Sequence, residues 1–183
     1  MSNGTIVRPP QGDAVTHVAT TSTDSACSQA HQNLIISLRN KPPRRPMELS
    51  FPIEFLVHGT AVSLQAKRAE SKNDWKQRIK AASTAVIPQP HFASQEPIGV
   101  TLYYLPDEPM TGDIDNIVKP ILDALSAHIY VDDQQVERLV VQKFDPGVPF
   151  EVVNPSETVA ATVTGPRPVL YVRLSDRPRE ELR

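Results

Sequence analysis

A single cysteine, Cys27, among 183 residues excludes an internal disulfide and any zinc site built on cysteine pairs. Aromatic residues are scarce, at 5%, so few large rings are available to build a core. No apolar run approaches the roughly 18 residues of a membrane span, and the N-terminus lacks the roughly 7 to 15 apolar residues of a secretory signal. These absences set the expectation of a cytoplasmic protein with no membrane partner. The net charge of −2 argues against a protein that coats nucleic acid indiscriminately. The length suits one domain of ordinary size with an appended tail.

The near-zero charge conceals an asymmetry. Residues 1–95 carry 11 Lys/Arg against 6 Asp/Glu, whereas residues 96–183 carry 8 against 15. A basic half beside an acidic half points to a polyanion-binding face next to something that needs clustered carboxylates, as in a nuclease whose acids hold metal. Residues 1–46 contain 23 Ser, Thr, Asn, Gln, Gly or Pro residues and no aromatic. That composition predicts a disordered polar tail, ending in a basic cluster of Arg39, Lys41, Arg44 and Arg45 that is either a phosphate-touching arm or a solvated linker.

From Met47 onward the pattern reads as one domain over residues 47–183. Strands are expected at Phe51–His58, Ile98–Tyr104, Val136–Phe144 and Val169–Leu174. A helix is expected over 66–86, with Trp75, Ile79 and Ala82 on the apolar face and Lys67, Arg68, Lys72, Lys76, Arg78 and Lys80 outnumbering Glu70 and Asp74. Trp75 is expected in the core rather than as a base-stacking platform. A second helix follows around Ile117–His128. The expected class is therefore α+β, a mixed sheet with two main helices in the order β-α-β-α-β-β. Residues 145–168, with five prolines, are long for a bare loop and leave room for a small hairpin around Val159–Val163.

The chemistry concentrates in Gly112–Val136, GDIDNIVKPILDALSAHIYVDDQQV. Asp113 and Asp115, two apart, point the same way if the segment is extended, and so reach one ion. Within the helix Asp115, Lys119 and Asp123 form an i, i+4, i+8 stripe opposite Ile117, Ile121, Ala124 and Leu125. Asp132 and Asp133 arrive just after it. Each feature also has an ordinary reading: Asp115 or Asn116 as a helix cap, Lys119–Asp123 as an exposed pair, Asp132–Asp133 as turn formers. Together so many acids around one lysine are redundant for capping, and hard divalent cations want such oxygen ligands. An EF-hand from Asp113 fails, because loop positions 6 and 12 hold Val118 and Ala124 in place of Gly and Glu. The haloacid-dehalogenase pattern fails at Ile117, where it needs Thr.

The spaced set DIDN (Asp113–Asn116), Lys119, DAL (Asp123–Leu125) and DDQQV (Asp132–Val136) resembles the RusA family of Holliday-junction resolvases. The basic helix around Trp75 is similar to one seen in many members, and the likeness spans roughly residues 51–144. One departure is the connection from Leu125 to Asp132, which contains no glycine. The resemblance implies catalytic roles for Asp113, Asp115, Lys119 and Asp133. The three aspartates would be the metal ligands, with Asp132 as an alternative ligand, and Asn116 and Asp132 would support them. It also implies Mg2+ or Mn2+ dependence, a homodimer, and paired hydrolysis across four-way DNA junctions in recombination and repair. The nearer alternative is a nuclease for flaps or linear duplex; a module that grips branched DNA without cutting it is the other, against which the acid set argues, since close carboxylates without metal would repel DNA. In either case Lys67, Arg68, Lys72, Lys76, Arg78 and Lys80 are the candidate contacts to backbone phosphates.

Overall fold

The computed structural model describes residues 47–65, 68–110 and 112–179. The expected tail, 1–46, lies outside them, as does Lys67. The chain runs β1 (Ile53–His58), α1 (Ala69–Val86), β2 (Ile98–Leu105), α2 (Asp115–Leu125), a short 3-10 turn (Asp133–Gln135), β3 (Val136–Lys143), α3 (Glu157–Thr164) and β4 (Val169–Ser175). One mixed sheet has the order β1-β4-β2-β3. The last strand thus lies inside it, antiparallel to both β1 and β2, while β3 is parallel to β2.

Burial follows that order. The inner strands, IGVTLYYL and VLYVRLS, are near-continuous apolar runs covered on both faces, whereas the edge strand β1 alternates, as expected when only one face meets the core. Helix α1 turns Trp75, Ile79 and Ser83 inward and packs on β1 and α2. Trp75 is 2% exposed, a core residue as expected. With Phe55, Leu102, Ile121, Leu125, Leu170 and Val172 it belongs to the main core. The opposite sheet face is closed by rings, with Tyr103 stacked on Tyr171 at 5.3 Å and Phe144 against Phe150 at 4.3 Å between centroids.

Residues 157–164 correct the sequence-based expectation. They form helix α3 in place of a hairpin, making the order β-α-β-α-β-α-β. The β-branched residues Thr158, Val159, Thr162 and Val163 favour strand by propensity, but tertiary context decides. Ser156 Oγ caps the helix by accepting from Val159 N at 3.2 Å, and also donates to Glu54 Oε2 at 2.7 Å. Val159 and Thr162 are then buried as the helix packs on β4 and β1. No helix among the described residues is long and apolar enough to cross a membrane.

Because β1 and β2 both run antiparallel to β4, they are parallel to each other and their following loops leave the same end of the sheet. That end is where open α/β arrangements place ligands. Gly59 closes β1 there with φ 127°, donating its N–H to Pro168 O at 3.0 Å. A Cβ at this position would lie 2.9 Å from the Arg78 guanidinium.

At the other end of α2, His128 Nε2 lies 2.9 Å from the fully buried Ser83 Oγ of α1. Burial pushes the imidazole below its ordinary value of 6.5, and the charges of His91 and Lys80 push it further. The unfolded chain therefore binds a proton more readily. Stability is fully present above about pH 6.5 and is lost as pH falls toward the lowered value. Melting temperatures across about pH 5 to 8 are expected to fall on the acid side in the wild type and to fall less in His128→Gln. Parallel curves would contradict this linkage.

Candidate active site

Helix α2 follows β2 and so begins toward that same end of the sheet. Its first turn is tight, with Asn116 N donating to Asp113 O at 3.2 Å and Ile117 N to Ile114 O at 3.4 Å; Ile114 is helical at φ −65°, ψ −31°, so Asp113–Asp115 is not the extended segment in which two-apart side chains point the same way. No side chain caps it, so Asp115 and Asn116 are not spent as helix caps. Asp113 and Asp115 are both exposed, and neither side chain has a hydrogen bond or ion pair among the described residues. Two free carboxylates thus stand at the positive end of a helix, where the backbone dipole favours anionic groups.

Pro120 lies inside this helix rather than at its start. Lacking an N–H, it leaves Asn116 O without its helical partner. Leu64 N takes that oxygen at 2.7 Å. The proline therefore ties the loop after β1, the approach to the basic helix, to the turn that carries the two aspartates.

One helical turn on, Lys119 is half-exposed and joins two acids. Its ammonium pairs with Asp133 Oδ2 and lies 2.9 Å from Asp123 Oδ1. Hydrogen bonds to Asp133, then to Asp123, hold Lys119 protonated far above its ordinary range. Partial burial pushes the Asp123 carboxyl up, but hydrogen bonds from Lys119 and Lys76 overcome this and leave it below the usual carboxylate range.

Asp132 and Asp133, adjacent in sequence, face different tasks. Asp132 Oδ1 accepts from Gln134 N at 2.9 Å, capping the 3-10 turn. Asp133 is turned to Lys119. The turn is held by Gln135, a residue given no separate role at the sequence level. Its Oε1 accepts from Val131 N and Asp132 N at 2.8 and 2.9 Å, and its Nε2 donates to Ser94 O and Glu96 O at 3.0 and 2.9 Å. The signal available was the capping spacing D-x-x-Q. Buried Tyr130 completes the hold by donating its hydroxyl to Leu122 O at 2.8 Å. Ala127 takes φ 55° in the connection that lacks glycine. Gln135→Ala is expected to cost on the order of 2 kcal/mol, since four polar groups lose their partner at once. Its cleavage rate should fall with DNA affinity retained, as the Asp133 backbone slackens. Thermal melts and cleavage assays on one preparation check both effects, and a normal rate would remove Gln135 from the site's support.

Along α1, Arg68 and Arg78 are exposed and Lys72 and Lys80 half-exposed. Lys76 differs from them: its Nζ is bonded to Asp123 Oδ2 at 3.0 Å, so it links the two helices. Sequence spacing gave no sign of this link, because its partners lie 47 residues apart.

A family model described as Endodeoxyribonuclease RusA matches residues 28–153. The chain belongs to the RusA endodeoxyribonuclease family. It is accordingly an endonuclease of the kind that resolves Holliday junctions. No curated protein matches it. The matched region starts upstream of Met47 and ends before β4, although β4 occupies the inside of the sheet. Residues beyond the match are thus needed to complete the RusA-type domain.

The donor chemistry at α2 fits a hard divalent cation. All candidate ligands are carboxylate oxygens, and those of Asp113 and Asp115 have no partner among the described residues. No three acidic, histidine or cysteine side chains among those residues are gathered as a preformed cage. Asp113 and Asp115 thus offer oxygen donors with no partner among the described residues, while Asp133 is paired with Lys119.

Proposed function

We propose that this chain resolves four-way DNA junctions as a homodimer in recombination and repair, by Mg2+-dependent phosphodiester hydrolysis, with Mn2+ as a substitute. The observation that supports this reading is the pairing of Lys119 with Asp133, on a helix that begins at Asp115, partnerless among the described residues, with Asp113 two residues before it. Asp113, Asp115 and Asp133 would hold the ion. Asn116 and Asp132 support them, Asn116 through its bond to Leu64 and Asp132 through its cap on the turn. When bound there, the ion would supply charge neutralisation on the phosphate and a lowered pKa for the attacking water.

The chain's own groups do the rest. Lys119 brings an ammonium charge to the oxygens that become negative as water adds to phosphorus, or to the leaving 3′ oxygen. Arg68, Lys72, Arg78 and Lys80 hold backbone phosphates without reading bases. Lys67, which lies outside the described residues, joins them by sequence. Residues 47–183 form the catalytic domain in this reading, and 1–46 an accessory polar tail.

The test is incubation with labelled four-way, flap and linear DNA, with and without Mg2+. Symmetrical, Mg2+-dependent nicks in the four-way substrate are expected. Preferential cutting of flaps or linear duplex would replace the junction reading, and tight binding without cutting would leave a branched-DNA-binding module.

A further inference from the structure

The Asp123 carboxylate is shared between two lysines. Oδ1 lies 2.9 Å from Lys119 Nζ on its own helix, and Oδ2 lies 3.0 Å from Lys76 Nζ on α1. All three side chains are about a third to a half exposed. An isolated surface pair of this kind does little for a helix, particularly in the Lys-before-Asp order found here. Helix stability therefore does not account for a carboxylate that bridges two elements.

We infer that Asp123 is a positioning residue that holds the Lys119 ammonium for the reaction, with Lys76 as its brace; this deepens the mechanism proposed above and rests on it. A half-exposed lysine has a flexible four-carbon stem, and only a fixed ammonium serves as a preorganised charge. Asp123 fixes it from one turn below. A lone carboxylate would also cancel the charge it positions. Lys76 on the second oxygen eases that difficulty, because the Asp123 charge is then shared between two ammoniums and is not drawn from Lys119 alone. It also anchors Asp123 from outside α2, so the carboxylate is held at both oxygens. Lys76 thereby leaves the set of simple phosphate contacts on α1.

The experiment measures single-turnover cleavage at saturating four-way DNA, junction affinity without metal, and melting temperature. The variants are Asp123→Ala, the isosteric Asp123→Asn, Lys76→Met, Lys119→Ala and the Asp123→Ala/Lys119→Ala double variant. Asp123→Ala should lose on the order of 10²-fold in rate, the scale of a misplaced catalytic group. Asp123→Asn should lose less, and Lys76→Met several-fold, with affinity nearly unchanged in all three. In the Lys119→Ala background the Asp123 change should add nothing, because its effect runs through that lysine. Asp123→Asn keeps the test readable if the alanine variant melts early. An unchanged rate in both Asp123 variants, a loss that persists without Lys119, or a loss of affinity in place of rate would each overturn the inference. Absence of cutting by the wild type would instead overturn the junction-nuclease reading, a separate outcome visible in the control lane.

Discussion

Asp115→Asn is expected to abolish cleavage while leaving junction binding intact or tighter. The side chain stands at the first position of α2, is exposed, and has no partner among the described residues. Its removal therefore breaks no described contact, and stability should change little. What is lost is a hard oxygen donor, and with it, in the proposed mechanism, a ligand for the divalent ion. One negative charge facing the phosphates is lost too, which favours DNA on electrostatic grounds. Gel-shift and cleavage assays on one preparation, with a thermal melt beside them, check all three statements. Cutting at the normal rate would remove Asp115 from the machinery. Loss of binding and cutting together with a lowered melting temperature would show that the carboxylate supports the helix instead.

The main elements were legible because their signals are local. The 3.6-residue period of Trp75 and Ile79 and the apolar runs of β2 and β4 each need only a short window of sequence. The stripe Asp115, Lys119, Asp123 was legible for the same reason, since helical spacing alone puts the three on one side. What escaped depends on partners far along the chain. Lys76 reads as one more surface base on α1 until α1 packs on α2 and brings Asp123 to it. The carbonyl freed by Pro120 predicts an unmet acceptor, but only the fold supplies Leu64 to meet it. Residues 157–164 were misread because β-branched side chains carry strand propensity, whereas the vacant ring-lined face of the sheet called for a helix capped by Ser156. The difference between Asp132 and Asp133 is likewise a matter of backbone geometry: one side chain turns back to Gln134, and its neighbour turns to Lys119.

Lys119→Ala should separate charge that catalyses from charge that binds. Lys119 sits between Asp123 and Asp133, so its ammonium is committed to those carboxylates rather than to distant phosphates. Its loss is expected to leave junction affinity nearly unchanged and to cost about 10²-fold or more in single-turnover cleavage, the scale seen when one stabiliser of transition-state charge is removed. Arg78 offers the contrast. It is exposed on α1 near Gly59, and Arg78→Ala should weaken binding evenly across DNA sequences, lowering the salt slope by about one unit with the saturated rate preserved. Both variants would be compared at saturating four-way DNA for rate and by salt titration for affinity. If Lys119→Ala cut normally once saturated, Lys119 would be no more than a surface partner of two aspartates, and the developing charge on the phosphate would need another stabiliser. If instead its salt slope fell like that of Arg78→Ala, the ammonium would belong to the DNA-gripping face and Asp133 would be free of it during the reaction.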